Sequence, residues 1–240
     1  MRDPETMSAT ASTATAVLVH SPFLGPASLR PLAARLEVDH RPALVPDLRA
    51  AVASEPVHTE LTSLFVDTVR GIDGPVVLIG HSGAGPLLPG FAAALPQPVS
   101  ALIYLDAGLP APGRSWLDIT PANLTDQLRQ HARGPLLPPW HDWFDTDPLT
   151  ALVPDPDLRA TLAAEEPDVS LAFLAEPHPD TTWHGPAGYV QLSEPYGAAS
   201  AEAAAAGIPV RRLDAHHLAP ATDPVAVTSA VEDLLASLVR

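Results

Sequence analysis

Ser82 stands in the string Gly80-His81-Ser82-Gly83-Ala84-Gly85, between an apolar run, Val76 to Ile79, and an Ala-rich apolar segment that reaches Leu95. A serine hydroxyl is a weak nucleophile until a base takes its proton, and the base needs a third group to hold its tautomer. A strand, a tight turn with a central serine and a helix form the context in which a G-x-S-x-G-like string becomes a nucleophile elbow. The last glycine of that string is Ala84, small enough to fit. The plainer reading is a Gly-rich strand-to-helix turn of any doubly wound sheet. Two histidines, His216 and His217, sit together in Asp214-Ala215-His216-His217-Leu218 near the C-terminus. Adjacent side chains face different directions, so one of them is the base for Ser82. His217 is preferred, with His216 the alternative. His81 lies inside the turn, where its side chain is expected to point away and pack.

Two carboxylates compete to be the third group. Asp106 closes the apolar run Val99 to Leu105, and Glu194 follows a later run in Leu192-Ser193-Glu194-Pro195. Asp106 is preferred because it lies in a strand-end turn and is the shorter, stiffer acid. Glu194 takes the role if Asp106 only caps a turn. Asp214 is too close in sequence to the base. An oxyanion needs two backbone N–H groups aimed at one point. Gly83 supplies one. Pro22 has no N–H, so Phe23 in His20-Ser21-Pro22-Phe23-Leu24 is the second candidate, with Leu24 behind it.

These residues are spaced along an alternating pattern. Short apolar runs at 14–20, 41–46, 76–79 and 99–105 read as strands. Amphipathic stretches at 27–36 and 57–69 read as helices, the second by Leu61, Leu64, Phe65 and Val69. The rhythm predicts a parallel sheet covered on both faces, with ligand sites at the C-terminal ends of strands. It stops at Pro110. Residues 111–186 are Pro-rich and contain all four tryptophans, Trp116, Trp140, Trp143 and Trp183. They are expected to fold as a helical cap or lid over the strand ends, with tryptophans divided between a pocket lining and the insertion's own small core. The rhythm returns with a strand at 188–192, a helix at 198–206, a strand at 210–213 and a C-terminal helix opened by Asp223-Pro224. The organisation is therefore a disordered tail over 1–12, a core at 13–110 and 187–240, and the insertion between.

Composition excludes several chemistries. The 240 residues include no cysteine, and all thirteen basic residues are arginines. Disulfides, thiolate chemistry, Cys-based metal sites, a P-loop lysine and a lysine Schiff base all drop out. Adjacent histidines lack the helical spacing of a zinc site, so no metal is expected. The formal net charge of −15 disfavours nucleic acid and anionic membrane surfaces as partners. No run of eighteen apolar residues suggests a membrane helix. The N-terminal stretch has acidic residues and no apolar core of a secretory signal, which makes the cytoplasm the expected compartment.

With these residues in view, the chain resembles the α/β-hydrolase superfamily over about residues 14–240, through VVLIGHSGAG, HSPFLG and LDAHHL. HSGAGPLLP, YLDAGLP, GRSWLD and PPW are similar to a group of small bacterial members of mostly unassigned substrate. The resemblance implies an α/β fold with about six mostly parallel strands, a Ser-His-acid triad, a two-N–H oxyanion hole and no cofactor. The chain departs from that pattern at Ala84, at Ser21-Pro22, and in lacking a clear G-x-x-D after 188–192. The implied activity is hydrolysis of a small or medium acyl ester or thioester by a monomer or homodimer. The alternatives are a lyase or cyclase using the same residues as acid and base, and a non-catalytic ligand-binding protein on this fold.

Overall fold

The computed structural model describes residues 14–53, 55–120 and 122–238. The tail expected at 1–12 lies outside the described residues. Six strands form one parallel sheet: β1 (Thr15–Val19), β2 (Ala43–Leu44), β3 (Val76–His81), β4 (Val99–Leu105), β5 (Ala187–Gln191) and β6 (Val210–Arg212). Their spatial order is β2-β1-β3-β4-β5-β6, with β3 and β4 at the centre. The longer helices are α1 (Arg30–Val38), α2 (Val57–Val69), α3 (Leu88–Ala94), α4 (Ala122–His131), α5 (Pro156–Ala164), α6 (Gly197–Ala205) and α7 (Pro224–Leu238). No helix among the described residues is long and apolar enough to cross a membrane.

The period-two alternation of the strands builds two separate cores. Val17, Val19, Leu78, Leu102, Tyr104 and Tyr189 face one side, against Leu61, Phe65 and Val69 of α2 and Leu88 and Phe91 of α3. Ala16, Leu18, Val77, Ile79, Ile103, Leu105 and Val190 face the other, against Leu32 and Leu36 of α1 and Val227, Val231, Leu234 and Leu235 of α7. Phe65 stacks on Phe91 with centroids 4.3 Å apart. Every residue of β3 is buried, as expected of a strand covered on both faces.

Two expectations need correction. The second strand is only Ala43–Leu44, not 41–46, because Pro42 and Pro46 on either side lack the N–H needed to extend the ladder. The segment after Ser82 does not enter an α-helix at once. Residues Ser82–Leu87 form a 3₁₀ turn, and α3 begins at Leu88. Proline at 86 cannot donate to the Ser82 carbonyl four residues back. That carbonyl instead accepts from Gly108 N at 3.2 Å, tying the serine turn to the end of β4.

Between β4 and β5 the chain leaves the sheet. It contains a turn at Trp116–Ile119, α4, a 3₁₀ turn at Trp140–Trp143, a short helix at Pro148–Leu152, α5 and a 3₁₀ turn at Leu171–Ala175. Two carboxylates fasten this segment to the rest. Glu165 accepts from Ala27 N at 2.7 Å and from Arg30 Nη1 at 2.5 Å, at the loop following β1. Gly25 allows that approach, since a Cβ there would meet Glu165 Cβ at 2.4 Å. Glu176 accepts from Val57 N at 2.7 Å and His58 N at 2.9 Å, the unpaired donors at the start of α2. Glu176 thus caps α2, whose N-cap, Pro56, makes no side-chain hydrogen bond of its own. Replacing Glu176 with Ala should cost about 1–2 kcal/mol of stability, measured as a lower denaturant midpoint; an unchanged midpoint would show that water caps α2 equally well.

Candidate active site

Ser82 ends the central strand, and its backbone explains why a turn is built there. Its φ is 57°, in the left-handed region. That conformation is uncommon for a residue with a side chain and tends to persist where surrounding contacts enforce it. Gly85 lets the turn lie against the end of β4, because a Cβ at 85 would meet Gly108 O at 2.1 Å. Ser82 is 6% exposed.

Asp106 also has a positive φ, 44°, at the end of β4. Its N donates to Val190 O at 2.7 Å, which carries the β4–β5 ladder one step further. The carboxylate is wholly buried, and four donors surround it. Leu192 N and Ser193 N reach Oδ1 at 2.9 and 3.0 Å. Ser193 Oγ and His217 Nδ1 reach Oδ2 at 2.6 and 2.8 Å. Burial pushes this acid upward, but the His217 hydrogen bond and charge, the Ser193 hydroxyl and the Leu192 N–H outweigh it and hold the carboxyl below its usual range. An ionised carboxylate only accepts, so His217 carries its proton on Nδ1 and Nε2 is left as a proton acceptor.

The two sequence-level choices resolve differently. His217 reaches Asp106, whereas the His216 ring turns to Thr222 Oγ1 at 3.2 Å. Glu194 is exposed at the start of a 3₁₀ turn, Glu194–Tyr196. Among the described residues it makes no hydrogen bond to His217. The loop that carries Glu194 instead contributes Leu192 and Ser193 as donors to Asp106.

His81 does not simply pack away from the site. It lies on the same face of β3 as Val77 and Ile79, which leads toward the His217 loop. Its Nε2–H donates to the His217 carbonyl at 2.9 Å, and its ring stacks on that of His217 at 4.5 Å. Burial, then the neighbouring His217, drives its pKa down to about 3. It therefore stacks on His217 as a neutral ring. Tyr196, which sequence reasoning missed, also stacks on His217, with its ring nearly parallel at 5° and 5.0 Å between centroids. The Tyr196 hydroxyl lies 3.2 Å from Ser82 Oγ. Among the described residues this is the hydrogen bond of the Ser82 side chain; none joins it to His217. The available signal was position, since Tyr196 follows β5 in the same strand-end loop as Glu194.

The loop that carries Phe23 lies against the Ser82 turn. Phe23 N donates to Ser21 Oγ at 3.3 Å, and a Cβ placed on Gly83 would lie 3.2 Å from both Ser21 Oγ and the Phe23 ring. The loop is held by His20, which donates from Nδ1 to Ser21 O at 2.8 Å and accepts from Leu48 N through Nε2 at 3.0 Å. Above it, Phe23 contacts Trp143 at 4.7 Å, Trp116 at 5.9 Å and Phe173 at 6.0 Å. Trp140 lies 6.0 Å from His217. Trp183 is apart from these ring contacts, with Nε1 donating to Pro186 O. Three tryptophans thus gather over the strand ends. No group of three or more potential metal ligands occurs among the described residues.

No protein-family model matches the chain, and no curated protein matches it by sequence. Solved structures do match. An extracellular α/β-hydrolase from a Paenibacillus species aligns with a TM-score of 0.71 at 18% identity, covering 92% of this chain and 98% of that one. Polyneuridine aldehyde esterase aligns at 0.70 and 20% identity, with 92% and 99% covered. A variant of tomato methylketone synthase I, complexed with β-ketoheptanoate, aligns at 0.68 and 14% identity, with 94% and 99% covered. The chain has the α/β-hydrolase fold, with one six-stranded parallel sheet flanked by helices.

Asp106→Asn should lower turnover by roughly 10³- to 10⁴-fold, while Glu194→Gln should leave it within about twofold; steady-state kinetics of both variants against one ester checks this, and the reverse ranking would make Glu194 the acid. A second expectation concerns pH. Burial lowers His20, His58, His81 and His178, the last to about 4, with the His58 ring the next cause at His178. Unfolding frees these rings to take up protons from their ordinary value of 6.5 downward. Their contribution to stability is complete above pH 6.5 and is lost as pH falls toward 4. Melting temperature should drop by roughly 5–10 °C between pH 7 and pH 4.5, and a flat profile would contradict the neutral, buried assignment.

Proposed function

We propose that this protein is a serine hydrolase that acts on a small or medium acyl ester or thioester, with Ser82 as nucleophile, His217 as base and Asp106 as the acid behind it. The observation that carries this reading is the 2.8 Å contact of His217 Nδ1 with the buried Asp106 carboxylate, beside a serine held at φ 57° on the central strand. Ser82 Oγ attacks the acyl carbonyl and its proton passes to His217 Nε2. The imidazolium so formed is stabilised by Asp106 and gives the proton to the leaving alcohol or thiol. Water then attacks the acyl-enzyme, His217 takes a proton from it, and that proton returns to Oγ as the C–Oγ bond breaks.

The N–H groups of Gly83 and Phe23 are the proposed donors to the oxyanion. Phe23 N–H is engaged by Ser21 Oγ before substrate arrives, so the oxyanion replaces that hydroxyl as its acceptor. The segment 111–186 serves as the cap, and its tryptophans with Phe23 favour an apolar or aromatic acyl or alcohol group. A hydrolase and an esterase among the structural neighbours support this class. We place the enzyme in the cytoplasm as a monomer or homodimer acting on a small molecule without a cofactor.

A second reading keeps the site but not the acyl-enzyme. The resting hydrogen bond of Ser82 to Tyr196 rather than His217 favours acid–base chemistry by His217 alone, as in a lyase or cyclase. The Ser82→Ala variant separates the two. Loss of both fluorophosphonate labelling and ester hydrolysis, by roughly 10⁴-fold or more, is expected; turnover that survives the substitution overturns the hydrolase reading in favour of the second.

A further inference from the structure

Tyr196 is placed where no step above uses it. Its hydroxyl meets Ser82 Oγ at 3.2 Å and its ring lies parallel on His217. Tyr189, a buried tyrosine near the site, has its hydroxyl committed to Ala107 O at 2.8 Å. Tyr196 O–H has no such carbonyl or carboxylate partner among the described residues. The Tyr196 ring is also positioned, because it stacks on His217, which itself stacks on His81 and is tethered at Nδ1 to Asp106. The hydroxyl is therefore a positioned group aimed at the reacting oxygen.

We propose that Tyr196 is a catalytic residue that donates a hydrogen bond to Ser82 Oγ as that oxygen leaves the acyl-enzyme, so that it serves deacylation more than acylation. This rests on the serine-hydrolase reading. At rest either oxygen can be the donor. In the acyl-enzyme Oγ is an ester oxygen with no proton, so there the phenol is the donor. Burial holds the phenol un-ionised, with its pKa pushed up to about 12, so its proton is available as a donor near neutral pH.

The two half-reactions use that donor unequally. During attack, electron density moves from Oγ into the new C–O bond, and a donor on Oγ opposes the movement or does nothing for it. During deacylation the C–Oγ bond breaks and density returns to Oγ before the proton on His217 Nε2 is delivered. A donor already in place stabilises that transition state more than the acyl-enzyme, which is the condition for acceleration. The proton of Tyr196 stays on Tyr196 throughout. The proton that Oγ receives comes from His217, which took it from water.

The test is Tyr196→Phe, which removes the hydroxyl and keeps the ring on His217. With p-nitrophenyl butyrate, kcat and KM are expected to fall together by roughly tenfold, the effect of one hydrogen bond to a developing charge, with kcat/KM held within about threefold. Decay of butyryl-Ser82, followed by intact mass after the ester is removed, should slow by the same factor. The acid limb of the kcat/KM profile should not move. A loss of kcat/KM as large as the loss of kcat, with no slower decay of the adduct, overturns the proposal, as does unchanged kinetics. A wild-type enzyme that neither turns over the ester nor takes a fluorophosphonate on Ser82 overturns the hydrolase reading and this one with it. A wild type that does both, beside a Phe variant with normal deacylation, overturns this one alone.

Discussion

A carboxylate with no exposure to water governs the arrangement of the site. Asp106 is charged in a place where an unpaired charge would be prohibitively costly. It is kept ionised by donors from two parts of the chain: Leu192 and Ser193 after the fifth strand, and His217 after the sixth. Those donors can converge only if the strand carrying Asp106 and the strand before Leu192 are in register, with Leu105 opposite Val190. The ion pair therefore depends on the sheet, and the sheet's C-terminal edge is shaped by the need to satisfy it. The left-handed backbone at Asp106, like that at Ser82, fits this picture. Each turn brings a side chain back over the strand ends instead of along the strand.

His217 is held by several different contacts. Asp106 sets its tautomer, and His81 stacks on its ring and tethers the backbone through the His217 carbonyl. Tyr196 stacks on the ring as well. A neutral His81 matters here, because a second cation stacked on His217 would oppose the imidazolium of the proposed mechanism. Deep burial at the end of the central strand secures that neutrality. A residue beside Ser82 in sequence thus acts on His217 in space.

The segment between the fourth and fifth strands is joined to the core by polar contacts at its margins and apolar contacts over the site. Glu165 and Glu176 each satisfy backbone N–H groups at the start of a helical turn in the core. Between these anchors, Trp116, Trp143 and Phe173 pack around Phe23, the residue whose N–H faces the serine turn. Packing in this segment and the geometry of the loop after the first strand are consequently coupled through one side chain.

Much of the architecture could be read from the chain alone. Apolar periodicity located all six strands and placed the second helix at Val57–Val69, and the glycine-flanked Ser82 marked the turn at the end of the central strand. Local pattern suffices there because burial and backbone sterics act on neighbouring residues. The details at Pro42, Pro46 and Pro86 were visible as residues, but their effect on element ends depended on which partners remained. Choosing between Asp106 and Glu194, and between His216 and His217, was beyond local pattern. Both members of each pair sit in suitable loops, and the direction of a side chain at a strand end is set by the pairing of strands far apart in sequence. Tyr196 was illegible for the same reason, since an aromatic after a strand has no local feature that aims it at Ser82. Sequence by itself determined the order of elements and the residue types available at the sheet's edge. The tertiary structure decided which of them meet, because only strand register and close packing convert a position along the chain into a direction in space.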